Sequence, residues 1–138
     1  MTKEVSITIE GIQLGSEEAP IRMIASGVYH MHKDKHYIQY DEQSEDGQGS
    51  IKNMIKIGLT RIEMTKKGAG SSEMTFDLNQ TTEVIYCTPY GTLVFEAKTS
   101  QITVEEKEEE IVVRLEYSLY TNEAPISDNR TTIRILPL

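Results

Sequence analysis

Three histidines fall in one short run, Tyr29-His30-Met31-His32-Lys33-Asp34-Lys35-His36. Such a cluster is raw material for a metal centre, since a neutral imidazole nitrogen is the commonest protein ligand for zinc and its neighbours. His30 and His32 share one face of an extended strand, where alternate side chains project together. His36 joins them only if the chain reverses through three residues, setting His32 opposite His36. A two-residue reversal at Asp34-Lys35 sets Lys33 against His36, Met31 against Ile38 and Tyr29 against Tyr40. That register matches apolar with apolar, and burial is what selects register. It turns His36 to the opposite face and leaves His30 and His32 on the wet side beside Ser26 and Arg22. No metal site is expected.

The remaining reactive residue types are as bland. Cys87 sits between Tyr86 and Thr88-Pro89, without the base or helix N-terminus that would turn a thiol into a nucleophile. It reads as a buried, inert cysteine. The stretch Lys66-Lys67-Gly68-Ala69-Gly70-Ser71-Ser72 lacks the Gly-Lys-Ser/Thr ending and the following helix of a phosphate cradle, so a hairpin turn explains it better. Paired carboxylates at Glu17-Glu18, Asp41-Glu42, Glu45-Asp46 and Glu105 to Glu110 lie in loops, where nothing would move a pKa toward acid–base work. They read as solvated tips. No catalytic residue and no cofactor is expected. The tyrosines are different, because an aromatic ring with a hydroxyl can face a cavity and still hold a polar group. Tyr29, Tyr40 and Tyr117 fall on the parity assigned to the interior. With Tyr90, in the turn Thr88-Pro89-Tyr90-Gly91, they are the candidate ligand-binding residues.

The elements that must position these groups are strands. Ile111, Val113, Leu115, Tyr117 and Leu119 alternate with Val112, Arg114, Glu116 and Ser118, the period of a half-buried strand. The same period recurs at Val5, Ile7, Ile9, at Met74, Phe76, Leu78, and at Leu93, Phe95, Ala97. The segment from Thr103 to Tyr120 would also suit a helix, but Ile111-Val112-Val113 and the clean alternation favour a strand. Turn signals divide the chain into about ten strands, near residues 3–12, 20–32, 36–43, 51–59, 61–67, 72–78, 83–88, 92–105, 110–122 and 131–136. The acidic Asp41 to Ser50 stretch and Asn122 to Asp128 are among the loops between them. Ile102 and Val104 have the opposite parity to Leu93, Phe95 and Ala97. One extra residue near Ser100-Gln101, a β-bulge, returns both to the same face.

So many strands must close to avoid bare edges. Hairpin-length spacing and the lack of a Cys-Trp-Cys pattern favour an all-β, antiparallel, up-and-down barrel of about eight to ten strands over a sandwich. A barrel above about eight strands is wide enough to keep a cavity. The 138 residues make one domain, and 22 acidic against 14 basic residues give a net charge of −8. That sign opposes nucleic-acid binding and an anionic membrane surface. One cysteine and an N-terminus without an uninterrupted apolar run point to the cytoplasm.

Gly27-Val28-Tyr29, Tyr37-Ile38-Gln39-Tyr40-Asp41-Glu42, Lys67-Gly68 leading to Met74-Thr75-Phe76, Thr88-Pro89-Tyr90-Gly91 and Leu115-Glu116-Tyr117-Ser118-Leu119 together resemble the YwiB-like bacterial domains of unknown function (domain of unknown function 1934). Lys67 stands where arginine is expected. The resemblance implies a small cytosolic barrel of lipocalin-like (calycin) type, and it brings no functional residues with it. The chain lacks tryptophan, so ligand binding by analogy with true lipocalins would rest on fold alone. Two functions follow from the barrel. One is binding of a small apolar or amphipathic ligand in the interior. The other is a non-catalytic, homodimerising interaction module with a barrel packed by Met23, Met31, Leu93, Phe95 and Leu115 and with Ile24, Val28 and Val112 on its outer face. An enzyme ranks third.

Overall fold

The computed structural model describes residues 3–43, 49–68 and 71–138. Among them are ten strands and no helix: β1 (Glu4–Gln13), β2 (Ile21–His32), β3 (Lys35–Gln43), β4 (Ser50–Ile57), β5 (Arg61–Lys67), β6 (Ser71–Asp77), β7 (Thr82–Thr88), β8 (Gly91–Glu106), β9 (Ile111–Thr121) and β10 (Ala124–Pro137). Each pairs antiparallel with its chain neighbour and β1 also pairs with β10, so the meander closes into a barrel. Closure leaves no bare strand edge. The alternating apolar residues point inward: Val5, Ile7, Ile38, Ile55, Ile57, Ile62, Phe76, Val84, Val113, Leu115, Ile133 and Ile135 are at most 1% exposed. Each such side chain contributes about 1.5–3 kcal/mol relative to an exposed one.

The expected bulge is present. Thr99 faces Tyr117 and Gln101 faces Glu116, so Ser100 is the extra residue and Ile102 and Val104 return to the core side. The segment from Thr103 to Tyr120 forms a hairpin of strands, β8 into β9. Its tip is shorter than expected, closed by Lys107 N–H donating to the Glu110 carbonyl.

Two expectations need correction. The last strand begins at Ala124 rather than 131, and the loop reduces to the turn Asn122-Glu123, with φ of 49° and 67°. Positive φ at both central residues is the type I′ geometry that suits strand twist. Polar Ser127, Asp128 and Asn129 hid the alternation, as did Pro125, which sits at a second register shift before Ser127. A bulge is where a strand tolerates a residue without an N–H. The other correction concerns β2 and β3. Their turn is Lys33-Asp34, not Asp34-Lys35, so Met31 faces His36, Tyr29 faces Ile38 and Gly27 faces Tyr40. The shift is two residues, so every side chain keeps its expected face. Gly27 decides it: a Cβ there would lie 2.5 Å from the Gln39 carbonyl oxygen and 2.8 Å from Ile7 Cδ1. Tyr40 Cβ, at 3.1 Å, closes the third side, so only glycine fits there.

Candidate functional site

The two ends of the barrel differ. At the end where the β2–β3, β4–β5, β6–β7 and β8–β9 hairpins turn, inward-facing residues seal the interior. Tyr29 Oη lies 2.7 Å from His36 Nδ1, and His36 Nε2 lies 2.5 Å from Glu106 Oε1. His36 is 5% exposed. A carboxylate only accepts, so the ring presents Nε2–H to Glu106 and Nδ1 accepts the tyrosine hydroxyl. β3 and β8 stand five strands apart in either direction around the barrel. Their side chains therefore meet across the lumen, which is pinched shut at this end. Burial, then the Glu106 charge, raises the Tyr29 hydroxyl pKa. Outside this strap lies a cleft of about 370 Å³, lined by Met31, Asp34, Ile57, Leu59, His36 and Glu106. Both histidine nitrogens are engaged, by Tyr29 and by Glu106. The arrangement closes and stiffens the barrel.

At the other end the interior is not covered by its own side chains. Met23, Tyr86, Phe95, Tyr117 and Leu119 face inward against the core but are only partly buried. Leu93 is 53% and Ile21 79% exposed. Tyr86 and Phe95 meet edge to face at 5.9 Å, within the range of favourable aromatic pairs, and Phe76 and Tyr117 pack in a tilted contact at 4.4 Å. Burial raises the Tyr117 hydroxyl pKa, which the neighbouring Thr131 hydroxyl partly offsets. The wall formed by β3 to β6 is polar at the same end. Glu42 and Lys66 pair at 3.3 Å, and Asn53 and Ser72 are buried. Tyr40 lies 5% exposed on this wall, its hydroxyl pKa pushed well above the usual range by burial and then by Glu42. A cavity of about 200 Å³ opens at the rim beside Gly11, Ile21, Tyr117, Asn129 and Thr131. This end of the barrel therefore has one aromatic and aliphatic side and one polar side.

Of the four expected ligand-binding tyrosines, Tyr40 and Tyr117 face this open half. Tyr29 faces inward at the sealed end, and Tyr90 sits fully exposed at the β7–β8 tip, at the open end but beyond the rim. His30 and His32 are on the outer face as expected, with His30 stacked on Tyr37 at 5.1 Å. No group of three or more His, Cys, Asp or Glu placed to hold a metal occurs among the described residues. Cys87 is exposed, not buried. It alternates with inward-facing Val84 and Tyr86, and so shares the outer face with its partners Ser71 and Thr92. Val112 is the opposite case, outward-facing yet 2% exposed. Arg134 and Glu105 stand directly opposite it, and long charged side chains cover apolar surface with their stems.

Among the carboxylates, Glu17 and Glu18 are exposed in the β1–β2 loop, while Glu45-Asp46 lies outside the described residues, as do Ala69 and Gly70 of the glycine stretch. Within the expected Glu105–Glu110 tip, Glu106 is exposed as expected but ends β8 and pairs with His36 as the strap residue. Its signal was available in the alternation. Once the bulge is counted, Glu106 shares the parity of Ile102 and Val104, and His36 shares that of Ile38 and Tyr40.

The family model described as "Domain of unknown function (DUF1934)" matches residues 5–133. A solved structure, "Crystal structure of ywiB protein from Bacillus subtilis", superposes with a TM-score of 0.82 at 18% identity, covering 99% of this chain and 92% of that one. At that identity the likeness is one of fold. No match was found among curated proteins.

Proposed function

The chain belongs to DUF1934, a family of domains of unknown function, and we propose that it binds a small apolar or amphipathic molecule in the open half of its barrel, in the manner of a lipocalin. The observation that carries this reading is the gradient of exposure among inward-facing side chains. Tyr29 and His36 are buried at the strap, with Met31 opposite His36 at 51% the exception, while Leu93 and Ile21 at the other end are uncovered. Concave, mostly apolar sites with a few polar groups are where small ligands bind. The aromatic side would take the apolar body, and the Tyr117 hydroxyl with the Glu42–Lys66 pair would take the polar end. The free thiol of Cys87 suits a reducing cytoplasm.

The chain has no tryptophan, so fluorescence of 1-anilinonaphthalene-8-sulfonate can be followed without interference from indole. Saturable one-to-one binding is expected, weakened at least tenfold by Leu93→Asp with the melting temperature unchanged. Absence of saturable binding by this probe and by decanoate would overturn the proposal. A second reading, a homodimer, is favoured by Ile24 and Val28, which are 64% and 46% exposed on the outer face of β2. Sedimentation of wild type and Ile24→Glu tests it: a dimer that the variant dissolves supports it, and a monomeric wild type removes it.

A further inference from the structure

Four of the five arginines, Arg22, Arg114, Arg130 and Arg134, occupy outward positions on β2, β9 and β10, which with β1 between β2 and β10 form one stretch of wall, in a chain whose net charge is −8. The register sets Arg114, Thr132, Glu10 and Arg22 in one row across these strands, and Arg134 beside Thr8 in the next. These six side chains line a hollow of about 180 Å³. At ~30 Å³ per water molecule, that is the space of a small organic acid. Arg114 and Arg134 each give one Nη1 to a carboxylate on the β8–β9 hairpin, Glu105 at 3.3 Å and Glu110 at 2.7 Å. The other N–H groups of each planar fork are not used in these pairs. Arg22 has no ion pair among the described residues, although Glu10 stands directly opposite it in the ladder. A wall built only for stability would couple those two.

We propose that this hollow is a binding site, separate from the barrel interior, for a small monocarboxylate that carries a hydroxyl or ammonium group. Guanidinium forks match a carboxylate bidentately, and more specifically than lysine does. The Thr8 and Thr132 hydroxyls add donors. Glu10 fixes the choice among oxyanions: its charge opposes a dianion such as phosphate, and its oxygens accept from the donor on the ligand.

The test is an NMR titration of the full chain at constant ionic strength with lactate, acetate and inorganic phosphate. Lactate should shift the amides of Thr8, Glu10, Thr132 and Arg134 saturably, and more tightly than acetate. Arg22→Ala should weaken lactate at least fivefold. Its melting temperature should stay within about a degree, since removing an exposed arginine without an ion pair leaves no partner behind. Glu10→Gln should lose the preference for lactate over acetate and bind phosphate at least threefold more tightly than wild type. Non-saturating shifts that include Arg61, lactate binding unaffected by Arg22→Ala, or an unaltered preference in Glu10→Gln would each overturn the proposal.

Discussion

Gly27 sets a register by lacking a side chain. Its Cα lies opposite Tyr40 on one side and Val5 on the other, where even a methyl group meets the Gln39 carbonyl. Overpacking of this kind costs about 1–3 kcal/mol. Gly27→Ala should therefore lower the unfolding free energy read from urea denaturation by that amount, and wild-type stability in the variant would contradict the register argument. Tyr29→Phe leaves His36 Nδ1 buried without its donor, a loss of about 1–3 kcal/mol, readable by urea unfolding. These residues were half legible in the sequence. Parity put Tyr29 and His36 on the inner face, but the apolar-matching rule chose the wrong hairpin register. It weighed Tyr29 against Tyr40 and ignored the close approach that only glycine allows opposite Tyr40.

At the scale of elements, turns and bulges decide where the alternation is honoured. The β6–β7 turn is held by Asp77, whose carboxylate accepts from the Asn79 N–H at 2.8 Å, from Arg61 at 2.8 Å and from Gln80 at 3.3 Å. The Asn79 bond first, then Arg61, holds its pKa below the usual carboxylate range. A carboxyl depressed in the folded chain stabilises it above the unfolded pKa, and that contribution disappears as pH falls through the folded value. Between about pH 5 and pH 2, urea midpoints of wild type should thus drop relative to Asp77→Asn; parallel curves would refute this role. Inserting one residue between Gln101 and Ile102 should be far more damaging. It would move Ile102, Val104 and Glu106 to the outer face together, and the circular dichroism spectrum should lose its folded signature. The Ser100 bulge was legible because strong apolar parity flanked it on both sides. The bulge near Pro125 was not, because polar residues follow it and parity has nothing to mark.

For the whole molecule, alternation with turn signals was enough to expect a closed antiparallel barrel, since only closure removes the edges of so many strands. Local pattern could not reveal how round the barrel is. The His36–Glu106 contact joins strands on opposite sides of the circle, and it exists only because the lumen is pinched there. Cys87 and Val112 show the same limit: exposure depends on neighbours across the sheet, which composition does not encode. The open half follows from this uneven closure. One sealed end and one uncovered end is the arrangement that makes ligand binding the favoured reading.

The central claim is therefore physical, a barrel whose interior is shut at the His36 end and uncovered at the Leu93 end. Methyl NMR with a soluble paramagnetic agent tests it directly, without assuming any ligand. Methyl signals of Ile21, Met23, Leu93 and Leu119 should broaden strongly, while those of Ile7, Ile57, Ile62 and Ile135 keep their intensity. Uniform protection of all inward-facing methyl groups would mean a fully packed barrel and would contradict the account.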